Sequence, residues 1–286
     1  MKLRSILFLI TALLVFNGCE YQKLLKNGAP DAKLEGAKTY YNKGDYNRAL
    51  PLLEDLIGRF RKREKAEDVY YYYAYTHYGM HDFYLASHHF RKFCETYRRS
   101  KYLEEASFMH AKCEYHKSLP YELDQTSTSK AIEKIQLFVN KFPSSIHIEE
   151  CNELIDELRS KLHKKAFDGA MLYYNMGDYR SAVVAFKNTL IDYPDIPQID
   201  KISFHIVESS FLYAKKSVSE KQRKRYNAAL AECTEYYASD NQTEEHLLEV
   251  KRIEKECRTL LADIKANEKI KAEKLEQDAL KSGSNQ

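Results

Sequence analysis

Tyr40-Tyr41-Asn42-Lys43-Gly44-Asp45-Tyr46-Asn47-Arg48-Ala49 returns later in the chain as Tyr173-Tyr174-Asn175-Met176-Gly177-Asp178-Tyr179-Arg180-Ser181-Ala182. Each copy reads as the end of one helix, a turn and the start of another. Gly44 and Gly177 suit the left-handed conformation that closes a helix C-terminus, while Asp45 and Asp178 offer a short oxygen acceptor to the next helix N-terminus. The unit is a helical hairpin.

The alanines fix the repeat more firmly than the turns. Ala49, Ala86, Ala131 and Ala182 are each followed four residues on by a bulky apolar residue (Leu53, Phe90, Ile135, Phe186) and eleven on by an aromatic (Phe60, Tyr97, Phe142, Tyr193). Steps of four and eleven return to one helical face, so the small alanine admits a neighbouring helix and the larger residues fill the space behind it. Ala229 with Cys233 keeps the four-step but has Asp240 where the aromatic belongs. The spacing between successive alanines exceeds the roughly 34 residues of a minimal tetratricopeptide repeat, so additional residues sit in longer helices or loops. One insertion is Ser118 to Ser129, where Pro120 and a Ser/Thr run break the helical pattern. Ser217 to Arg225, polar and basic, lengthens either a helix or a loop in the fifth repeat. The expected fold class is all-α, a tetratricopeptide-like α-solenoid of about five helical hairpins.

The N-terminus carries Lys2 and Arg4, an apolar run from Ile6 to Phe16 and then Asn17-Gly18-Cys19. The run is too short to span a bilayer and has the charged flank of a secretory signal. A small residue directly before a cysteine resembles the lipobox of bacterial lipoproteins, with Cys19 as the lipidation site. The expected organisation is a lipoprotein signal peptide over 1–18, a lipidated tether over 19–30, repeats one to three over 31–145 and repeats four and five over 146–260. A charged helical or disordered tail covers 261–286. Asp31 is the expected cap of the first repeat helix.

Without Lys2 and Arg4 the 45 basic residues become 43, facing 42 acidic ones. That balance gives no reason to expect nucleic acid or a general attraction to anionic lipid. Cys94, Cys113, Cys151, Cys233 and Cys257 form no CxxC or Cys/His cluster, which argues against a zinc site and a disulfide framework. Cys94 and Cys113 lie on consecutive helices, and spacing alone does not decide whether they pair.

Asp68 to Tyr78 contains six tyrosines in eleven positions. Aligned on the repeat, Tyr70, Tyr73, Ala74 and His77 take core positions. Tyr71, Tyr75 and Tyr78 fall on the face that lines the groove in tetratricopeptide folds. The matching positions are Leu34, Lys38 and Tyr41 in repeat one, Phe108, Lys112 and Tyr115 in repeat three, and Phe167, Met171 and Tyr174 in repeat four. Aromatics with a polar tip interleaved with lysines suit an extended peptide: rings supply area, and hydroxyl or ammonium groups reach backbone carbonyls. The same stripe also suits packing between repeats. His77, His81, His88 and His89 lack a carboxylate at ligand spacing, so no metal and no cofactor is expected. No Gly-rich phosphate loop, nucleophile elbow or HExxH is present, and Glu104-Glu105 and Glu149-Glu150 read as solvated helix faces. No catalytic residue is expected and the chain does not read as an enzyme.

The lipobox-like start, the hairpins, Asp124 to Ser144, Tyr173 to Ala182 with Asp192-Tyr-Pro-Asp195, and Lys215 to Tyr226 together resemble the BamD family. These are lipoproteins of the outer-membrane β-barrel assembly machinery, and the long polar insert is similar to Bacteroidetes forms. The resemblance implies a non-catalytic scaffold, lipid-anchored at the periplasmic face of the outer membrane. Its C-terminal repeats would dock on a POTRA domain of a BamA-like β-barrel protein. Its N-terminal repeats would receive unfolded outer-membrane protein precursors. The alternative is a peptidoglycan- or glycan-associated lipoprotein with the same repeats, although sustained heptads are lacking and sugar platforms favour tryptophan, which this chain lacks.

Overall fold

The structure, a computed structural model, describes residues 20–60 and 65–283. The expected signal peptide and Cys19 lie outside the described residues. Helix α1 covers 20–27. Five hairpins follow: α2 (Pro30–Asn42) with α3 (Tyr46–Arg59), α4 (Ala66–Gly79) with α5 (Phe83–Thr96), α6 (Leu103–His116) with α7 (Thr126–Lys141), α8 (Ile148–Asn175) with α9 (Tyr179–Asp192), and α10 (Ile199–Lys215) with α11 (Ser219–Tyr237). Helix α12 (Glu244–Gly283) closes the chain, and no strand occurs among the described residues. The fold is the tetratricopeptide-like α-solenoid that the repeat pattern predicts.

The hairpins fall into two compact units, one ending at Ser160 and the other beginning at Lys161. The expected boundary at 145/146 moves because α8 is a single helix serving two cores. Its Cys151, Leu154 and Leu158 pack in the first unit, and its Ala170, Phe167 and Met171 in the second.

All five repeat alanines, Ala49, Ala86, Ala131, Ala182 and Ala229, are completely buried, as are Leu53, Phe90, Ile135 and Phe186. The aromatics at the eleventh step do a further job. Phe60, Tyr97, Phe142 and Tyr193 are the residues that terminate their helices. In the fifth repeat α11 starts earlier, at Ser219, and is closed by Ala238, nine residues after Ala229, with Tyr236 as the buried aromatic. The basic insert has lengthened the helix, not a loop.

Three hairpin turns share one construction. The amide N–H of Gly44, His81 and Gly177 bonds back to the carbonyls of Tyr41, Tyr78 and Tyr174, and the next N–H, from Asp45, Asp82 and Asp178, reaches Tyr40, His77 and Tyr173. This pair of bonds closes a helix through a left-handed residue. Each aspartate then caps the following helix, accepting from the N–H of Arg48, Leu85 or Ser181. The residue at the left-handed position is glycine in two turns, with φ of 73° and 76°, and His81 in the third, with φ of 59°. Gly79 stays inside α4: a Cβ there would come within 2.3 Å of the Tyr46 ring.

Two elements differ from expectation. Residues 20–27 are a helix and not a loose tether, because Leu24 and Leu25 join the core of the first hairpin and Leu24 covers Gly36. Helix α2 starts at Pro30, with Ala29 at the cap position. Asp31 instead pairs with Lys65 at 2.7 Å. A charge is also buried here: Lys33, only 2% exposed, crosses to Asp55 on α3 at 2.6 Å. In the insertion, α7 begins at Thr126, so the loop is shorter than Ser118 to Ser129. Gln125 holds that loop, donating to the carbonyls of Pro120 and Leu123 while accepting from Thr128.

The left-handed conformation costs a non-glycine residue roughly 1 kcal/mol. His81→Gly therefore raises the melting temperature by roughly 2–4 °C in calorimetry, while Gly79→Ala lowers it because Tyr46 must move.

Candidate peptide-binding surface of the first unit

The first helices of the hairpins, α2, α4 and α6, carry the candidate residues at corresponding turns. Leu34 is wholly buried in the core of the first hairpin and Phe108 is buried beneath a histidine, so these two floor the surface. Lys38, Tyr41, Tyr71, Tyr75, Tyr78, Lys112 and Tyr115 are half-buried. The structure brings them together in one belt. Tyr41 meets Tyr72 and Tyr75 edge-on, with centroids 5.3 and 6.3 Å away, and Tyr71 stacks on Tyr102 at 4.3 Å.

The polar ends of Lys38, Tyr75, Tyr78, Lys112 and Tyr115 reach the next repeat. Lys38 reaches Asp68 on α4 at 3.6 Å. The Tyr75 hydroxyl donates to Glu105 on α6 at 2.5 Å, and Tyr78 meets Nε2 of His116 at 3.1 Å. Lys112 pairs with Glu150 on α8 at 2.7 Å, and Tyr115 donates to Glu157. The packing role and the aromatic character thus coincide. What the belt leaves open to a ligand is ring face and partly exposed ammonium.

Glu105 does more than a solvated helix face would. Besides Tyr75 it binds Nε2 of His147 at 2.8 Å, and that imidazole lies flat on Phe108, centroids 3.9 Å apart. Glu150 is likewise committed, to Lys112. Glu104 and Glu149 are exposed, as expected. Nothing local in the sequence flags Glu105: His147 lies 42 positions away. A carboxylate in the opening turn of one first helix and a histidine just before the next is the signal that was available.

The chemistry of the belt is that of neutral phenols. Burial pushes Tyr71 and Tyr78 up and takes Tyr41 to about 12. Tyr75 is raised by burial and then by its bond to Glu105, and Tyr115 to about 12 chiefly by its bond to Glu157. Burial alone would lower Lys112, but Glu150 and its neighbours outweigh that and hold it above the ordinary lysine range. At neutral pH these phenols donate hydrogen bonds and present π-faces.

The histidines separate. His81 occupies its turn and His88 is exposed, whereas His77 and His89 stack at 5.2 Å behind the belt. Among the described residues no group of three His, Cys, Asp or Glu side chains could hold a metal ion. The five described cysteines are free, and Cys94 meets the Ser107 hydroxyl at 3.3 Å. In the second unit Phe167, Met171 and Tyr174 occupy the corresponding helix, packed against Phe186 and its neighbours.

Five helical hairpins and a belt of ring faces define a repeat protein of the tetratricopeptide class. The chain belongs to the outer membrane lipoprotein family YfiO, the BamD family, whose description matches residues 28–227. Among solved structures it is similar to a thermophilic TPR protein of Thermus thermophilus, at 14% identity over 79% of this chain and 98% of that one, TM-score 0.32. It is also similar to the TPR2AB domain of yeast Sti1 in a pHSP90 complex, at 12% identity over 80% of this chain and 98% of that one, TM-score 0.39. No curated protein sequence matches it. No described helix is long and apolar enough to cross a membrane.

Burial lowers His77, and burial followed by the neighbouring positive charges takes His89 down to about 4. Unfolded histidines take up a proton near 6.5, so between there and about pH 4 the unfolded chain binds more protons and stability falls as the pH is lowered. His89→Gln makes the decline of melting temperature from pH 6.5 to 4 shallower, measured by calorimetry across that window.

Proposed function

We propose that this chain is a lipid-anchored scaffold of the outer-membrane β-barrel assembly machinery, held to the periplasmic face of the outer membrane by Cys19. It captures unfolded barrel precursors on the belt of its first unit and docks a POTRA domain of a BamA-like protein through its second. The observation that carries this reading is the belt itself, in a member of an outer membrane lipoprotein family. Tyr71, Tyr75 and Tyr78 run along α4 between Lys38 on α2 and Lys112 on α6.

Such a belt suits an unfolded chain better than a folded partner. An extended segment has free backbone carbonyls, and tyrosine and lysine tips reach them while the rings cover alternate side chains. Because the phenols already bond neighbouring helices, ring faces supply most of the affinity, and sequence selectivity is weak. Weak selectivity suits a protein that must accept many clients. For the partner side, the second unit offers Leu172, Tyr173 and Met176, exposed at the end of α8. An apolar cluster of this kind fits a folded, stable partner.

A labelled peptide from the C-terminal end of a barrel precursor binds the purified chain, and Tyr71→Ala combined with Lys112→Met weakens it by roughly tenfold in fluorescence anisotropy, the loss of one aromatic anchor and one charge. The single variant Lys112→Met controls for any loss of folding at Tyr71. In affinity purification from native membranes, a C-terminally tagged chain recovers a POTRA-bearing barrel protein, and Cys19→Ala reduces that recovery. Recovery of cell-wall or glycan-uptake components in its place overturns the reading.

A further inference from the structure

The two edges of the first unit differ in chemistry. One edge is built by the turns inside the hairpins, after α2, α4 and α6, and these turns touch one another. The Tyr46 ring covers Gly79, the Phe83 ring stacks on His116 at 4.3 Å, and the Lys117 ammonium lies 5.1 Å from the centre of the Tyr84 ring. This edge carries Met80, Tyr84, Leu85 and Leu119, exposed by 40%, 71%, 44% and 41%. The other edge, built by the connections between hairpins, exposes Arg98, Arg99, Lys101 and Lys141, with Ile146 exposed among them and Leu137 one turn back on α7.

Helix α1 tells which edge the first described residues meet. The Tyr21 hydroxyl donates to the carbonyl of Arg48 at 3.3 Å, its ring lies 5.5 Å from that of Tyr40, and Leu24 packs on Gly36. Helix α1 is therefore antiparallel to α2, and its first residues lie beside the turn at Gly44. In sequence, Cys19 directly precedes Glu20, the first described residue. The charged edge lies a helix length away, about 20 Å for 14 residues.

We infer that the turn edge of the first unit lies against the lipid surface, with Met80, Tyr84, Leu85 and Leu119 entering the interfacial layer beside the acyl chains on Cys19. This inference rests on the lipid anchor proposed above. Tyrosine and small clusters of apolar side chains partition into that layer, and one such cluster next to a lipid anchor supplies the second contact that fixes orientation. Lys43, Arg48 and Lys117 are offset by Asp45, Asp82, Glu122 and Asp124 along the turns, so the contact depends on apolar insertion and not on anionic lipid. The basic edge then faces away from the bilayer.

The chain has no tryptophan, so a single introduced indole reports on its own position. Full-length Tyr84→Trp, Leu119→Trp and, on the far edge, Ile146→Trp proteins are purified from native membranes and reconstituted in zwitterionic vesicles containing brominated phosphatidylcholine. Mass spectrometry of the N-terminal peptide reads the acylation of Cys19, and thermal melts confirm the fold. With Cys19 acylated, the expected result is loss of roughly half the emission at 84 and 119 and none at 146, since interfacial side chains sit within reach of the bromines. Acylated protein whose indoles at 84 and 119 remain as unquenched as that at 146 overturns the inference and leaves the anchor intact. Unmodified Cys19 overturns the anchor, and the inference falls with it.

Discussion

An alanine sets the closest approach in every hairpin. Ala49, Ala86, Ala131, Ala182 and Ala229 have no exposed surface at all. Extra methylenes at such positions would force neighbouring helices apart at a cost of roughly 1–3 kcal/mol each. Because the second helix of each hairpin sits this close, the residue four positions on is driven into the same interface, and in the first four hairpins an aromatic then ends the helix. The spacing of the first helices follows from that packing, and with it the reach of every side chain that crosses from one repeat to the next.

Those crossings use carboxylates in a recurrent way. In the first unit Glu105 gathers Tyr75 and His147, with the imidazole flat on Phe108. In the second, Asp200 gathers Tyr236, Thr243 and His246, and the His246 ring lies 4.6 Å from that of Phe204 at an interplanar angle of 7°. Burial would raise the Asp200 carboxyl, but its three hydrogen bonds prevail and hold it below the ordinary range. A carboxylate that accepts several bonds tolerates partial burial, which a lone one does not. Around Glu105 the device joins first helices directly, so Tyr75 is both structural and available by its face.

The hairpin turns, the repeat alanines and the all-α class were legible because each depends on residues within a dozen positions of one another. His81 was not, since nothing marks a histidine as the occupant of a left-handed position until the turn is seen to match those of Gly44 and Gly177. Helix α1 was hidden by Asn27-Gly28-Ala29-Pro30, which reads as a linker; its stability comes from Leu24 filling the space above Gly36, a contact between elements. The belt was legible as a set of positions. Its division into floor, bonded tips and open faces was not, because Glu105, Glu150 and Glu157 lie some 30 to 42 residues from the tyrosines, lysine and histidine they hold.

The proposed roles use different parts of the same hairpins and so do not compete. The belt crosses α2, α4 and α6 from one helix to the next, and the turn edge crosses the same three hairpins in the same direction. A peptide lying along the belt therefore runs parallel to the bilayer in the proposed arrangement. Tyr41, Tyr78 and Tyr115 stand at or within two residues of the ends of their helices, on the side of the turns. In that arrangement they would form the margin of the belt nearest the lipid, and Tyr71 lies farther along its helix. A captured segment would be held lengthwise above the membrane at a distance set by about two helical turns, roughly 11 Å. The far edge with its arginines and lysines would then stay in water, where charge favours solubility, while the apolar edge would be covered.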